Sequence, residues 1–144
     1  MMRWLLALSV VVVVGCSSEC DLATELTSHS GGGATDCGHA VLGTDASPVD
    51  ACVVTAFENG TAFVSQYDRV GTDSRAVFGI AGDVNGQVTF LLWDGDPSGG
   101  SGADPVISGD LCVGPSVDSS SMRDPFLAPP LTCTSTTSLG RTCG

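Results

Sequence analysis

The densest set of metal-ligating oxygens in the sequence is Asp94-Gly95-Asp96-Pro97-Ser98-Gly99. Oxygen side chains at positions 1, 3 and 5 with Gly at 6 match the opening of a calcium loop, in which alternate residues converge on the ion and Gly permits the sharp bend. The match then stops. Position 12 is Pro105 in place of the bidentate Glu, Pro97 stiffens the approach, and Asp104 is the substitute carboxylate within reach. Calcium held by Asp94, Asp96, Ser98 and Asp104 is one expectation. The other, which the composition fits better, is an acidic solvated connection rich in turn formers. As a proton-transfer pair Asp94 and Asp96 read poorly, because two-carboxylate hydrolysis places its acids on opposite sides of a substrate. Asp73-Ser74 reads as a turn that caps itself through side-chain to backbone hydrogen bonds. His39 near Cys37 raises a thiol and imidazole pair, but an oxidised cysteine is inert as a nucleophile. The sequence has no Gly-x-Ser-x-Gly elbow and no phosphate-binding glycine loop ending in Lys. Catalysis is not expected.

The cysteines carry a firmer message. Seven are present: Cys16, Cys20, Cys37, Cys52, Cys112, Cys133 and Cys143. Zinc would need closely paired ligands such as C-x-x-C, which neither these spacings nor the isolated His29 and His39 supply. Residues 1–16 explain the odd number. Arg3 precedes an apolar run at residues 5–14 that is broken only by Ser9 and is too short to span a bilayer, the pattern of a cleaved export signal. Its end, Val13-Val14-Gly15-Cys16, resembles the lipobox of bacterial lipoproteins. That resemblance implies removal of residues 1–15, a diacylglycerol on the Cys16 thiol and an acylated amine at the new terminus. By the same resemblance Ser17, where inner-membrane retention favours Asp, implies the outer membrane. Assigning Cys16 to lipid leaves six cysteines for up to three disulfides in an oxidising envelope, among fifteen connectivities. The connectivity stays open; a Cys52 to Cys112 bridge would staple a helix to a strand, and a Cys20 to Cys37 bridge would close a loop.

Charge narrows the partners. The chain has 16 Asp and Glu against five Arg and no Lys, a formal charge of -11, and losing Arg3 makes it one unit more negative. Such a surface is repelled by nucleic acid and by anionic head groups, so the lipid is the expected hold on a membrane. Three acyl chains, at about 0.8 kcal/mol per buried methylene, give an effectively permanent attachment.

The elements that position these groups begin with a tether. Residues 16–36 are polar, include Ser30-Gly31-Gly32-Gly33, and lack the apolar surface to offset ordering entropy. Residues 37–114 form the expected domain, and 115–144 a Ser/Thr/Pro-rich tail pinned through Cys133 and Cys143. Within the domain, Val49, Cys52, Val53, Ala56 and Phe57 share one face at a period of 3.6, predicting a helix over 48–58. Ser47 is its expected N-cap, Pro48 its first residue, Asp50 the acid its dipole favours, and Asn59-Gly60 its stop. Strands are expected at 61–69, 75–81, 87–93 and 106–113, with Asn85-Gly86 at a tight hairpin. The run at 87–93 is apolar on both faces. The predicted fold is α+β: one helix packed on an antiparallel meander of about four strands, disulfide-stabilised. Trp93, Tyr67 and Phe63 are read as the second half of its core or as a shallow binding surface. Arg69 and Arg75 flank the first turn and meet nearby acids.

The order of helix, meander, glycine-rich loop and cysteine-bearing strand resembles cystatin-like and NTF2-like α+β domains. Ala56-Phe57, Gly60, Gly71-Thr72-Asp73-Ser74, Trp93-Asp94-Gly95-Asp96-Pro97 and Cys112 together resemble uncharacterised predicted lipoproteins, a likeness over 37–112 that implies no activity. The expected function is that of a lipid-anchored envelope protein with a non-catalytic domain that binds an envelope protein or small ligand, or acts structurally. A calcium-dependent surface protein, a cystatin-like inhibitor of a secreted enzyme and, last, a hydrolase are the alternatives.

Overall fold

The structure, a computed structural model, describes residues 20–71, 74–100, 103–118 and 128–143. The signal segment and Cys16 lie outside these residues. Eight elements follow in order: α1 (Leu22–Ser30), β1 (Thr35–Ala40), α2 (Ser47–Glu58), β2 (Phe63–Val70), β3 (Arg75–Gly82), β4 (Val88–Asp94), β5 (Val106–Val117) and β6 (Leu131–Cys143). They build one six-stranded sheet in sequential order. β1 runs parallel to β2 through the α2 crossover, and every other neighbour is antiparallel.

This corrects the expected single helix on four strands. The two helices cover opposite faces of the sheet. Under α2, Val53 and Ala56 meet Phe63, Tyr67, Ile80 and Val88 in one cluster of buried side chains. Under α1, Leu22 and Leu26 meet Val77, Ala81, Leu91 and Ile107 in a second. Side chains alternate between faces along a strand, so β3 sends Ile80 to one cluster and Val77 and Ala81 to the other. A sheet apolar on both faces needs two covers. Phe63 and Tyr67 are therefore core beneath α2, and Trp93 belongs to the opposite face.

The second cover comes from the stretch expected to be a tether. α1 buries Leu22 and Leu26, four residues and about one turn apart, and its low mean hydropathy conceals them. Asp21 is its N-cap, accepting from the Thr24 amide at 2.9 Å, and Gly31 ends it in the left-handed conformation at φ 82°. Gly79 on β3 admits the helix: a Cβ there would lie 2.9 Å from Leu26 Cδ2. The missing side chain sets how closely helix and sheet approach.

α2 ends at Glu58 as expected but starts differently. Its N-cap is Ala46, without a side-chain cap, and Ser47 lies inside the first turn, its amide donating to Asp45 Oδ1 at 2.9 Å. The Asp83 hairpin closes through its own carboxylate, which accepts from the amides of Asn85 at 2.9 Å and Gln87 at 2.8 Å. Ser65, on the α2 side of β2, is buried, and its hydroxyl has no hydrogen-bond partner among the described residues.

The expected tail supplies β6, an edge strand. Ser/Thr-rich composition concealed it, yet β-branched Thr suits a pleated surface. Its ribbon with β5 folds on itself. The register sets Cys112 opposite Thr136 and Cys133 opposite Pro115, three residues away. Three extended residues span roughly 10 Å. The Cys112 and Cys133 Cα atoms are 5.4 Å apart, so the ribbon bends between them, where Gly114 has φ 61°.

The three disulfides are Cys20–Cys143, Cys37–Cys52 and Cys112–Cys133. Neither a Cys52–Cys112 nor a Cys20–Cys37 bridge forms. Cys52 on α2 meets Cys37 on β1 directly across the crossover, and Cys20 is drawn to the far edge strand by α1 lying across the sheet.

Non-reducing peptide mapping should return these three pairs. Replacing Cys20 and Cys143 together by Ser should cost the most in denaturant unfolding. That bridge spans 123 residues, worth about 5 kcal/mol on the chain-entropy model, against about 3 kcal/mol for the 15-residue separation of Cys37 and Cys52. The Thr24 side chain and amide hold the Asp21 carboxyl below its ordinary range. A carboxyl lowered in the folded state stabilises above its unfolded value and loses that contribution as pH falls through the folded one. Asp21→Ala should therefore cost about 1 kcal/mol near neutral pH, and the deficit against the parent should shrink in acid when unfolding is followed by circular dichroism.

Candidate functional site

A β-bulge aims the polar cluster of this protein. Along the β1 and β2 pair, Asp36 sits opposite Val64 but His39 sits opposite Gln66, so β1 contains one extra residue. Gly38 lies in the bulge with φ 91°, its amide held by Asp36 Oδ1 at 2.9 Å. The extra residue turns His39 onto the face of Gln66 and Asp68, the face covered by α1. There His39 Nε2 lies 2.9 Å from Asp68 Oδ1. Arg75 Nη2 approaches the same oxygen at 3.6 Å, and the Leu42 amide donates to Asp68 Oδ2 at 3.4 Å. Asp68 is buried, whereas the Arg75 side chain is 68% exposed. A buried carboxylate among an imidazole, a guanidinium and an amide is a satisfied one.

This cluster borders a hollow of about 240 Å³ at the N-terminus of α1, whose lining includes Asp21, His39, Gln66, Arg75 and Trp93 over Leu22 and Val77. Trp93 Nε1 donates to the Cys20 carbonyl at 3.2 Å, fixing the indole as one wall. A histidine oriented by a carboxylate is the second half of a nucleophilic relay. The first half is missing from the lining: no Ser or Thr contributes to it, and Cys20 is in a disulfide. What remains is a hollow that gathers a guanidinium, an imidazole, an amide and the capping carboxylate of Asp21 on an apolar floor.

The loop singled out in the sequence behaves differently. Asp94 Oδ1 accepts from the Ser74 hydroxyl at 2.8 Å and the Asp96 amide at 3.0 Å. Asp96 Oδ1 accepts from the Ser98 hydroxyl at 3.2 Å and the Gly100 amide at 3.3 Å. Asp104 is exposed. Among the described residues no three His, Cys, Asp or Glu side chains converge as a metal site. The carboxylates are turned to closing their own loop. Ser74 spends its hydroxyl on that loop rather than on its own turn, and Asp73 lies outside the described residues. The Cys37 and His39 pair also dissolves, since Cys37 bonds Cys52 and His39 faces Asp68.

Sequence spacing did not reveal the His39 and Asp68 pair, because 29 residues and a helix separate partners joined by parallel strand pairing. The alternation of 61–69 did put Gln66 away from Tyr67, but nothing local assigns His39 to the same face.

Asp68→Ala should lower stability by about 1 to 3 kcal/mol, as expected when partners of a charge-assisted group are orphaned. Asp96→Ala, in an exposed loop, should stay within about 0.5 kcal/mol. Calcium added to chelated protein should leave the melting temperature unchanged, and a rise abolished by Asp94→Ala would contradict this account of the loop. Comparison with protein-family models, with curated proteins and with solved structures finds no match to this chain.

Proposed function

We propose that this chain is an exported lipoprotein, acylated at Cys16 and held in the outer membrane, whose disulfide-stapled domain binds an envelope protein or small ligand without catalysing a reaction. One observation carries the reading. The six cysteines after Cys16 are consumed in three bridges among themselves, which leaves Cys16 as the one cysteine of seven with no partner to pair with. In an oxidising compartment a lone thiol is a liability unless it has another chemical fate. The Val13-Val14-Gly15 that precedes it supplies that fate.

Two further points favour the reading. Among the described residues no helix is long and apolar enough to cross a membrane, so the lipid is the hold that the reading relies on. The hollow at the start of α1 offers a polar ligand Arg75, His39 and Gln66, while its one carboxylate outside the His39 cluster, Asp21, is engaged in capping α1 through Thr24, which suits binding better than turnover.

Expression in a bacterial host should yield protein in the outer-membrane fraction whose amino-terminal peptide carries acyl chains by mass spectrometry. Cys16→Ser should move the protein to the soluble fraction with the three disulfides intact. An unmodified Cys16, or an unchanged distribution of the serine variant, would end the proposal.

A further inference from the structure

We infer that one end of the sheet rests on the bilayer surface, with Val41, Leu42 and Val70 as its contact residues and Arg69 and Arg75 beside them; the inference rests on acylation of Cys16. The length of chain outside the described residues fixes which end this is. Cys16 precedes Cys20 by four residues, a reach of at most about 14 Å. Cys20 is covalently tied to Cys143 and hydrogen-bonded to Trp93. In the strand register Cys143, Ile107, Trp93, Val77 and Asp68 fall on one row across the sheet, the row that closes its end. An acyl chain at Cys16 therefore brings this end against the membrane.

The surface at that end is the kind a bilayer accepts. Val41 and Leu42 follow β1, which ends at Ala40 opposite Tyr67, and Val70 closes β2, so all three lie at this edge. They are 45%, 40% and 58% exposed, and what distinguishes them from the other exposed aliphatics among the described residues, Val84, Val113 and Leu139, is that they gather at one edge of this end. The three arginines among the described residues, Arg69, Arg75 and Arg141, also lie at this end, with Arg69 stacked over Phe78 at 5.6 Å and Arg75 beside Asp68. Their long stems place apolar carbon at the interface and the guanidinium among head-group oxygens. Acids share the end, but among the described residues those nearest Val41, Leu42 and Val70 are tied inward. Asp68 is held by His39 and Arg75, Asp45 by the Ser47 amide, and Asp50 by the Tyr67 hydroxyl at 3.0 Å. The acidic connection after β4 meets the turn between β2 and β3 at this end, and its first two carboxylates are engaged within the protein: Asp94 accepts from the Ser74 hydroxyl and the Asp96 amide, Asp96 from the Ser98 hydroxyl and the Gly100 amide. Contact is apolar in origin, so it does not require anionic lipid, which the chain's charge of -11 disfavours.

The test compares amide hydrogen exchange in acylated protein on phosphatidylcholine vesicles with that in Cys16→Ser protein in solution. Exchange should slow at residues 41–44, 69–71 and 74–75 and stay unchanged at the opposite hairpin, 83–87. Val41→Asp with Val70→Asp should abolish the slowing while the mass of the acylated peptide and the three disulfides persist; Val84→Asp on the far hairpin should leave it in place. Equal exchange in the two forms, with acylation verified by mass, would overturn the resting surface and leave the lipoprotein reading standing. Slowing at 41–44, 69–71 and 74–75 in concentrated Cys16→Ser protein without vesicles would assign the surface to a second copy instead. Absence of acyl chains would remove both proposals together.

Discussion

Burial on both faces of β2, β3 and β4 is the constraint from which the rest of this structure follows. Val77, Ala81 and Leu91 point one way and Ile80, Val88 and Phe63 the other. Removing apolar surface from water is worth roughly 25 cal/mol per Å², so neither face is left bare. The α2 crossover covers one face because a parallel pair of strands needs a long connection and a helix fits it. The other face has only what precedes β1, and α1 is pressed into that role with two leucines.

A cover held by two leucines is a weak one, and the covalent chemistry compensates. The Cys20–Cys143 bridge joins the start of α1 to the end of β6, so the segment that covers one face is clamped to the far edge strand. Cys37–Cys52 joins α2 to the parallel edge strand, and Cys112–Cys133 holds the folded ribbon of β5 and β6 against the α2 side. Each bridge secures a peripheral element of low apolar content. The meander itself contains no disulfide between β2, β3 and β4, whose packing and ladders suffice.

The same geometry creates the polar hollow. α1 starts level with Trp93 and leaves the ends of β1, β2 and β3 uncovered on its side, and the bulge at Gly38 turns His39 into the gap. Asp68 then serves two ends: it orients His39 beside Arg75 and holds the Leu42 amide where the chain leaves β1. The polar cluster is a consequence of where the helix begins.

Much of this was readable from residue order. Alternation along 61–69 and 87–93, the 3.6 period of 48–58 and the Asn85-Gly86 turn located α2 and the meander, because each signal acts between near neighbours. The strand at 87–93 with two apolar faces already demanded a second cover. Composition misled at both ends: a polar segment with two well-spaced leucines packs as a helix once a sheet face is offered, and a Ser/Thr run pairs as a strand once a partner edge is present. Cysteine parity was a property of the sequence alone, as was the deep negative charge. Which cysteines pair, which face His39 takes and where the domain's apolar edge lies were decided only by tertiary structure, because they depend on the proximity of residues that are 15 to 123 positions apart.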